Sequence, residues 1–224
     1  MTLKPYTQIP IAECNQPLLP IPDHIPRVLP HAYQSLAAPY GERSPFWLRA
    51  GVIERLEIAI HQLRSHQLGL AVYDAYRPVE VQQFMVDHTF ADLVQGMDLT
   101  PDLDLEPVWQ QVYQFWAVPS WDLATPPPHS TGAAIDLALT DLAGYPLDLG
   151  SQIDQISPRS HPQFFAEHPD QDPGGIYAFY RDLLKQAMGN AGFCQHPNEW
   201  WHFSWGDQLW AWLSGAEQAI YGRA

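Results

Sequence analysis

Residues 129–139 read HSTGAAIDLAL. The stretch sets His129 and Asp136 at either end of a turn containing Gly132, and it continues as AAIDLALTD (133–141), a short apolar strand. On a straight helix the two polar residues would share a face yet stand about 10 Å apart, at roughly 1.5 Å of rise per residue. That is too far for ligands each about 2 Å from one zinc. A straight strand would put them on opposite faces, because their separation is odd. For both to meet one ion the chain must fold back over residues 130–132, and Gly132 supplies the backbone freedom for that turn. The spacing alone leaves a second reading open, in which His129 sits in a loop and Asp136 in the sheet with no ion between them.

The segments around this strand alternate in character. Upstream, LGLAVYDAYRP (68–78) gives a buried strand from Leu70 to Tyr76, stopped by Pro78. Before it, LRAGVIERLEIAIHQLRSH (48–66) spaces Val52, Ile53, Leu56, Ile60 and Leu63 three or four apart, which predicts an amphipathic helix ending near Gly69. Residues 79–96 read as a second helix, capped near Gly96. Residues 97–128 read as a long aromatic loop whose end, TPPPH (125–129), is held stiff by proline, the character of a functional cover.

Downstream, GGIYAFYRDLLKQAMGNAGF (174–193) predicts a helix with Ile176, Tyr180, Leu183 and Ala187 on one face. NEWWHFSW (198–205) reads as the last strand, with Trp200 and Trp201 on alternate sides, one in the core and the other toward a pocket. Residues 206–224 form a polar, Trp-bearing tail with helical character. Residues 1–48 carry Pro17, Pro20, Pro22, Pro26 and Pro30 and read as an extended wrapping arm with short strands. Helices and strands without a regular β-α-β period imply an α+β fold: a small, mostly antiparallel sheet with helices packed against it. No linker divides the 224 residues, so one domain over 1–224 is expected.

Composition narrows the partners. With 25 Asp and Glu against 11 Lys and Arg, the formal charge is −14. A field of that sign repels phosphate backbones and anionic bilayers, so neither nucleic acid nor membrane is an expected partner. Cys14 and Cys194 are too few and too far apart for a disulfide framework. The proline-broken N-terminus resembles neither a signal peptide nor a span, which leaves a cytoplasmic expectation. The sequence carries no signal for oligomeric state.

Among the ten histidines, His61 and His66 are out of register for chelation, and no H-E-x-x-H occurs. His61, His66, His88 and His168 read as surface or capping residues. NEWWHFSW is different: it offers His202 as a third ligand, with Glu199 three positions before it. A glutamate in so apolar a setting has a raised pKa unless a cation faces it, which suits a general base. Taken alone, the octapeptide reads equally well as an aromatic core strand with Glu199 at its wet start.

Together with YDAYRP (73–78), these two motifs resemble the D-alanyl-D-alanine dipeptidases, the VanX type of zinc peptidase, within the D,D-peptidases of the hedgehog-like α+β fold. The resemblance runs in order from about Val72 to Phe203. It implies zinc held by His129, Asp136 and His202, Glu199 as catalytic base, and Arg77 as the group stabilising the transition state. LGSQIDQISPRSH (149–161) resembles the family segment after the metal Asp, which makes Asp154 the carboxylate receiving the substrate's ammonium. The implied substrate is a small D-amino-acid dipeptide, D-Ala-D-Ala. One departure stands out: where the family has a Ser two residues before the first zinc His, this chain has Pro127, so a hydroxyl contact is missing. Two other readings use the same residues: a D,D- or L,D-carboxypeptidase or endopeptidase of this fold acting on peptidoglycan stems, and a non-catalytic zinc module. A purely structural zinc would need neither Glu199 nor Arg77.

Overall fold

The structure, a computed structural model, describes residues 4–98, 100 and 102–224. In chain order its elements are β1 (Leu18–Pro20), α1 (Ala32–Ser35), β2 (Trp47–Arg49), α2 (Ala50–Leu63), β3 (Gly69–Asp74), α3 (Val79–Val94), α4 (Glu106–Phe115), β4 (Ala134–Thr140), α5 (Phe164–Glu167), α6 (Ile176–Asn190), β5 (Cys194–Gln195), β6 (His202–Ser204) and α7 (Gln208–Ser214). Among the described residues β1 and β2 form a small antiparallel pair, and the other strands form an antiparallel sheet in the order β3-β4-β6-β5. This is the expected α+β architecture.

The strand that opened the sequence reading lies inside that sheet. All seven residues of β4 are buried, because both faces and both edges are covered. Its Ile135, Leu137 and Leu139 pack with Val52, Leu56 and Leu63 of α2 and with Leu184, Ala187 and Met188 of α6. Side chains such as Leu56, at 0% exposure, each contribute roughly 1.5–3 kcal/mol by leaving water. The register of the sheet pairs Asp74 of β3 with Asp136 of β4, and Asp136 with His202 of β6. One row across three strands therefore carries three polar residues, and a bulge between Val72 and Asp74 re-aims the first.

The arm of residues 1–48 runs along this frame. Val28 N–H donates to Val72 O and Val72 N–H to Pro26 O, so the arm lines the outer edge of β3. Ala12 and Cys14 donate to Ala219 and Ile220 near the other end of the chain. A second apolar cluster joins Tyr33, Ala38 and Tyr40 of the arm to Val81, Met85 and Val86 of α3 and to Val112 and Trp116.

Several expectations need correction. Residues 97–128 are not all loop: α4 forms there, with Pro107 in its first turn, where a missing N–H costs nothing. Leu99 and Pro101 of that stretch lie outside the described residues. The buried face of α6 is Arg181, Leu184, Ala187 and Met188, one position round from the expected face, which leaves Ile176 38% exposed. NEWWHFSW is a strand only at His202–Ser204. Both Trp200 and Trp201 belong to the core, and Trp200 Nε1–H is tied to Ser151 Oγ at 2.8 Å. No helix among the described residues is long and apolar enough to cross a membrane.

Candidate metal centre and cleft

His129 reaches the sheet because the chain does fold back after it. A 3₁₀ turn, Pro128–Thr131, ends at Gly132 with φ +71°. A Cβ at Gly132 would be strained at that φ and would run into the Leu18 side chain. The turn is pinned by Arg49 N–H donating to Gly132 O and by Ser130 Oγ–H donating to Arg77 O. Strand pairing alone delivers Asp136 and His202, which are register partners.

Hydrogen bonding fixes which ring nitrogens are bare. His129 Nδ1 lies 2.6 Å from Ala75 O, a group that only accepts, so Nδ1 carries the proton and Nε2 is a lone pair. His202 Nε2 lies 3.3 Å from Ser204 Oγ, whose own proton goes to Asp207 Oδ2 at 2.8 Å. Nε2 of His202 is therefore the donor there and Nδ1 is bare. The two bare nitrogens stand 3.1 Å apart. His129 Nε2 is 3.3 Å from Asp136 Oδ2, and His202 Nδ1 is 3.1 Å from Asp136 Oδ1. Asp136 Oδ1 has no hydrogen-bond partner among the described residues.

Lone pairs thus converge with no hydrogen between them, an arrangement that only a cation relieves. Four tetrahedral ligands at about 2.0 Å from zinc are separated by roughly 3.3 Å, close to all three spacings here. The donor set, two imidazoles and a carboxylate, is one that zinc takes in catalytic sites. The carbonyl behind His129 and the Ser204–Asp207 pair behind His202 supply the outer hydrogen bonds that orient ligating histidines. The residues present fit the ion.

Glu199 arrives by a bend rather than a strand. The turn at Pro197–Asn198 and the irregular Glu199–Trp201 stand outside the ladder, while His196 N–H pairs back to His202 O. Residues three apart on a regular strand face opposite ways; the bend puts Glu199 Oε2 3.7 Å from His202 Nδ1. Burial, helped by Asp136 and Asp154 and opposed by His202, pushes the Glu199 carboxyl up to about 8.

Arg77 is 2% exposed and stands beside Asp136. Its Nε and Nη2 donate to Asp74 Oδ2 at 2.9 and 2.5 Å, Nη1 donates to Gln82 Oε1, and Nη2 stands 3.7 Å from Asp136 Oδ2. His31 Nδ1 accepts from Gln34 N–H, so its Nε2–H donates to Asp74 Oδ1. Asp154 is held at φ +62°, and Tyr33 O–H donates to its Oδ2 at 2.5 Å. Burial and the field of Asp136 push the Asp154 carboxyl up to about 6, against Arg77 and Tyr33.

All six residues singled out in the sequence line one cleft, together with Lys4, Tyr6, Gln82, Trp116 and His196 among others. The sequence reading missed this second group, and it missed Tyr33 and His31 behind Asp154 and Arg77. His196 sits three residues before Glu199, a repeat of the Glu-x-x-His spacing that could have drawn notice. The arm residues carry no local signal, because only the tertiary fold brings them here.

The Peptidase_M15 family, described as D-Ala-D-Ala dipeptidase, matches residues 28–219. The chain belongs to this family. It is 48% identical over 240 residues to the D-alanyl-D-alanine dipeptidase of Synechocystis sp., covering 99% of this chain and 97% of that protein. It is 34% identical over 146 residues to the D-alanyl-D-alanine dipeptidase of Escherichia coli K12, covering 65% of this chain and 58% of that one. The fold resembles that of a mutant vancomycin resistance D,D-pentapeptidase VanY from a VanB-type cassette, crystallised with Zn(II): TM-score 0.51 at 14% identity, over 88% of this chain and 83% of that one. This M15 metallopeptidase is thus a D-alanyl-D-alanine dipeptidase by family, as its motifs implied.

Proposed function

We propose that the protein hydrolyses the free D-Ala-D-Ala dipeptide to D-alanine, with zinc held by His129, Asp136 and His202, Glu199 as general base, and Arg77 opposite the developing charge. The observation that carries the reading is the convergence of bare His129 Nε2 and His202 Nδ1 on the Asp136 carboxylate, with a buried glutamate 3.7 Å from His202 and a buried arginine 3.7 Å from Asp136. A bound zinc supplies a Lewis acid for the scissile carbonyl and lowers the pKa of water at an open fourth position.

The chain's own residues do the rest. Glu199, beside the ligand set, takes the proton of the attacking water and returns it to the departing amine. A carboxyl whose burial favours the protonated form holds that proton readily, and a cation at the ligand set would oppose that shift and so favour the ionised base. Arg77 meets the negative charge that grows on the carbonyl oxygen; Asp74, His31 and Gln82 hold the guanidinium in place, so no reorganisation is needed as the charge appears. Asp154 receives the substrate ammonium, and Tyr33 orients that carboxylate. A blocked or extended N-terminus would leave it unpaired, which discriminates strongly. In this reading 1–224 is one zinc peptidase domain, and the 1–48 arm completes its site through His31 and Tyr33.

The test is the release of free alanine from D-Ala-D-Ala, L-Ala-L-Ala, an N-blocked dipeptide and a muramyl pentapeptide, with and without chelator. Chelator-sensitive turnover of the free D,D-dipeptide alone is expected. Release from the pentapeptide would make the protein a carboxypeptidase, and zinc binding without any hydrolysis would make it a binding module.

A further inference from the structure

The proposed reaction leaves one end of the substrate without a partner. The dipeptide's ammonium goes to Asp154, and its scissile carbonyl to the ligand set and Arg77. Its carboxylate is borne by the same α-carbon as the leaving nitrogen. Because Glu199 delivers the proton to that nitrogen, a group receiving the carboxylate has to stand on the Glu199 side of the cleft.

The charged groups divide along that line. The Arg77 guanidinium lies 5.6 Å from the ring of Tyr33, whose hydroxyl bonds Asp154, and three of its donors are already given to Asp74 and Gln82. Lys4, Tyr6 and His196 line the same cleft as Glu199; His196 Nδ1 stands 3.7 Å from Glu199 Oε1, and Lys4 and Tyr6 lie close enough to feel the Glu199 charge. His196 is engaged by its own neighbours: the same Nδ1 accepts from Asn198 N–H at 3.3 Å. Lys4 is half-buried at the cleft wall and feels the field of Glu199, yet no ion pair holds its ammonium among the described residues. Its backbone is fixed: Lys4 O accepts from Thr7 N–H and Oγ–H at the start of a 3₁₀ turn, and Tyr6 is buried beside it.

We infer that Lys4 receives the C-terminal carboxylate of the dipeptide and is a specificity-determining residue of this enzyme; the inference rests on the dipeptidase reading above. Asp154 and Lys4 then bracket the scissile bond with opposite charges, a pair of rulers that a dipeptide satisfies and a longer or capped peptide does not.

The test compares the zinc-loaded wild-type protein with Lys4→Met and Lys4→Arg on D-Ala-D-Ala and on its C-terminal amide. For the acid, Lys4→Met should lower kcat/KM on the order of 10²-fold, chiefly through KM, as for truncating one partner of a partly buried charge pair. For the amide it should change little, so the preference for acid over amide collapses, and Lys4→Arg should restore part of it. If Lys4→Met keeps the wild-type preference, or weakens acid and amide equally, the carboxylate site is not at Lys4 while the dipeptidase reading stands. If the wild-type protein hydrolyses neither compound, that reading fails and the inference falls with it.

Discussion

Ser204→Ala tests the hydrogen-bond logic of the metal centre without touching a ligand. Ser204 is fully buried; its Oγ accepts from His202 Nε2–H and donates to Asp207 Oδ2. Without that oxygen, the His202 tautomer with its proton on Nδ1 loses nothing relative to the other, and that tautomer blocks metal binding. The Nε2···Oγ contact is long at 3.3 Å, so it is assigned about 1 kcal/mol, within the ordinary 0.5–1.5 kcal/mol of a net hydrogen bond. That is roughly a fivefold change in metal affinity from the tautomer alone. The buried Asp207 carboxyl, already raised by burial, loses a donor as well, which loosens the support of His202. Together these should weaken zinc binding about tenfold, the lower end of what outer-shell losses cost. Competition against a chromogenic chelator measures it, with thermal melting of the metal-free protein to separate stability from affinity. An affinity within twofold of wild type would refute the tautomer assignment and the argument for three converging lone pairs.

Other consequences are as direct. Arg77→Ala should reduce turnover by about 10²- to 10³-fold, mostly in kcat, as for a lost oxyanion donor; a change confined to KM in steady-state kinetics would contradict its role. Asp154 must be ionised to hold an ammonium, and burial with the field of Asp136 pushes its carboxyl up to about 6 in the metal-free protein. With excess zinc, which would offset the Asp136 field, kcat/KM should fall as pH drops on a limb at or below that point, the protonated carboxyl being the inactive form. Asp154→Asn should lower the plateau and remove this limb from the profile; an unchanged limb would assign it to another group.

The sheet and its candidate metal ligands were legible because local rules govern them. AAIDLALTD is apolar beyond ambiguity, and Gly132 at φ +71° is where the sequence required a reversal. The helix over 50–63 followed from its spacing, since Val52, Leu56 and Leu63 are fully buried. Less legible was α4, whose apolar positions are interrupted by Gln110, Gln111 and Gln114 and preceded by loop-like residues. The α6 face was misjudged because Arg181 is buried: its guanidinium donates to the carbonyls of Leu149, Arg159 and His161, so a charged residue occupies a core position that hydrophobicity alone assigns to an apolar one. Glu199 needed a bend that the aromatic run conceals. Arm residues such as Tyr33, 121 positions from the Asp154 it bonds, have no signature in any window of sequence.

The claim on which the rest depends is that Glu199 performs chemistry beside a metal it does not hold. Its test is the turnover of D-Ala-D-Ala by Glu199→Ala protein whose zinc content is measured in the same sample. The account predicts wild-type zinc stoichiometry with a rate lower by about 10²- to 10⁴-fold. Near-normal turnover at full zinc occupancy, or loss of the zinc itself, would contradict it.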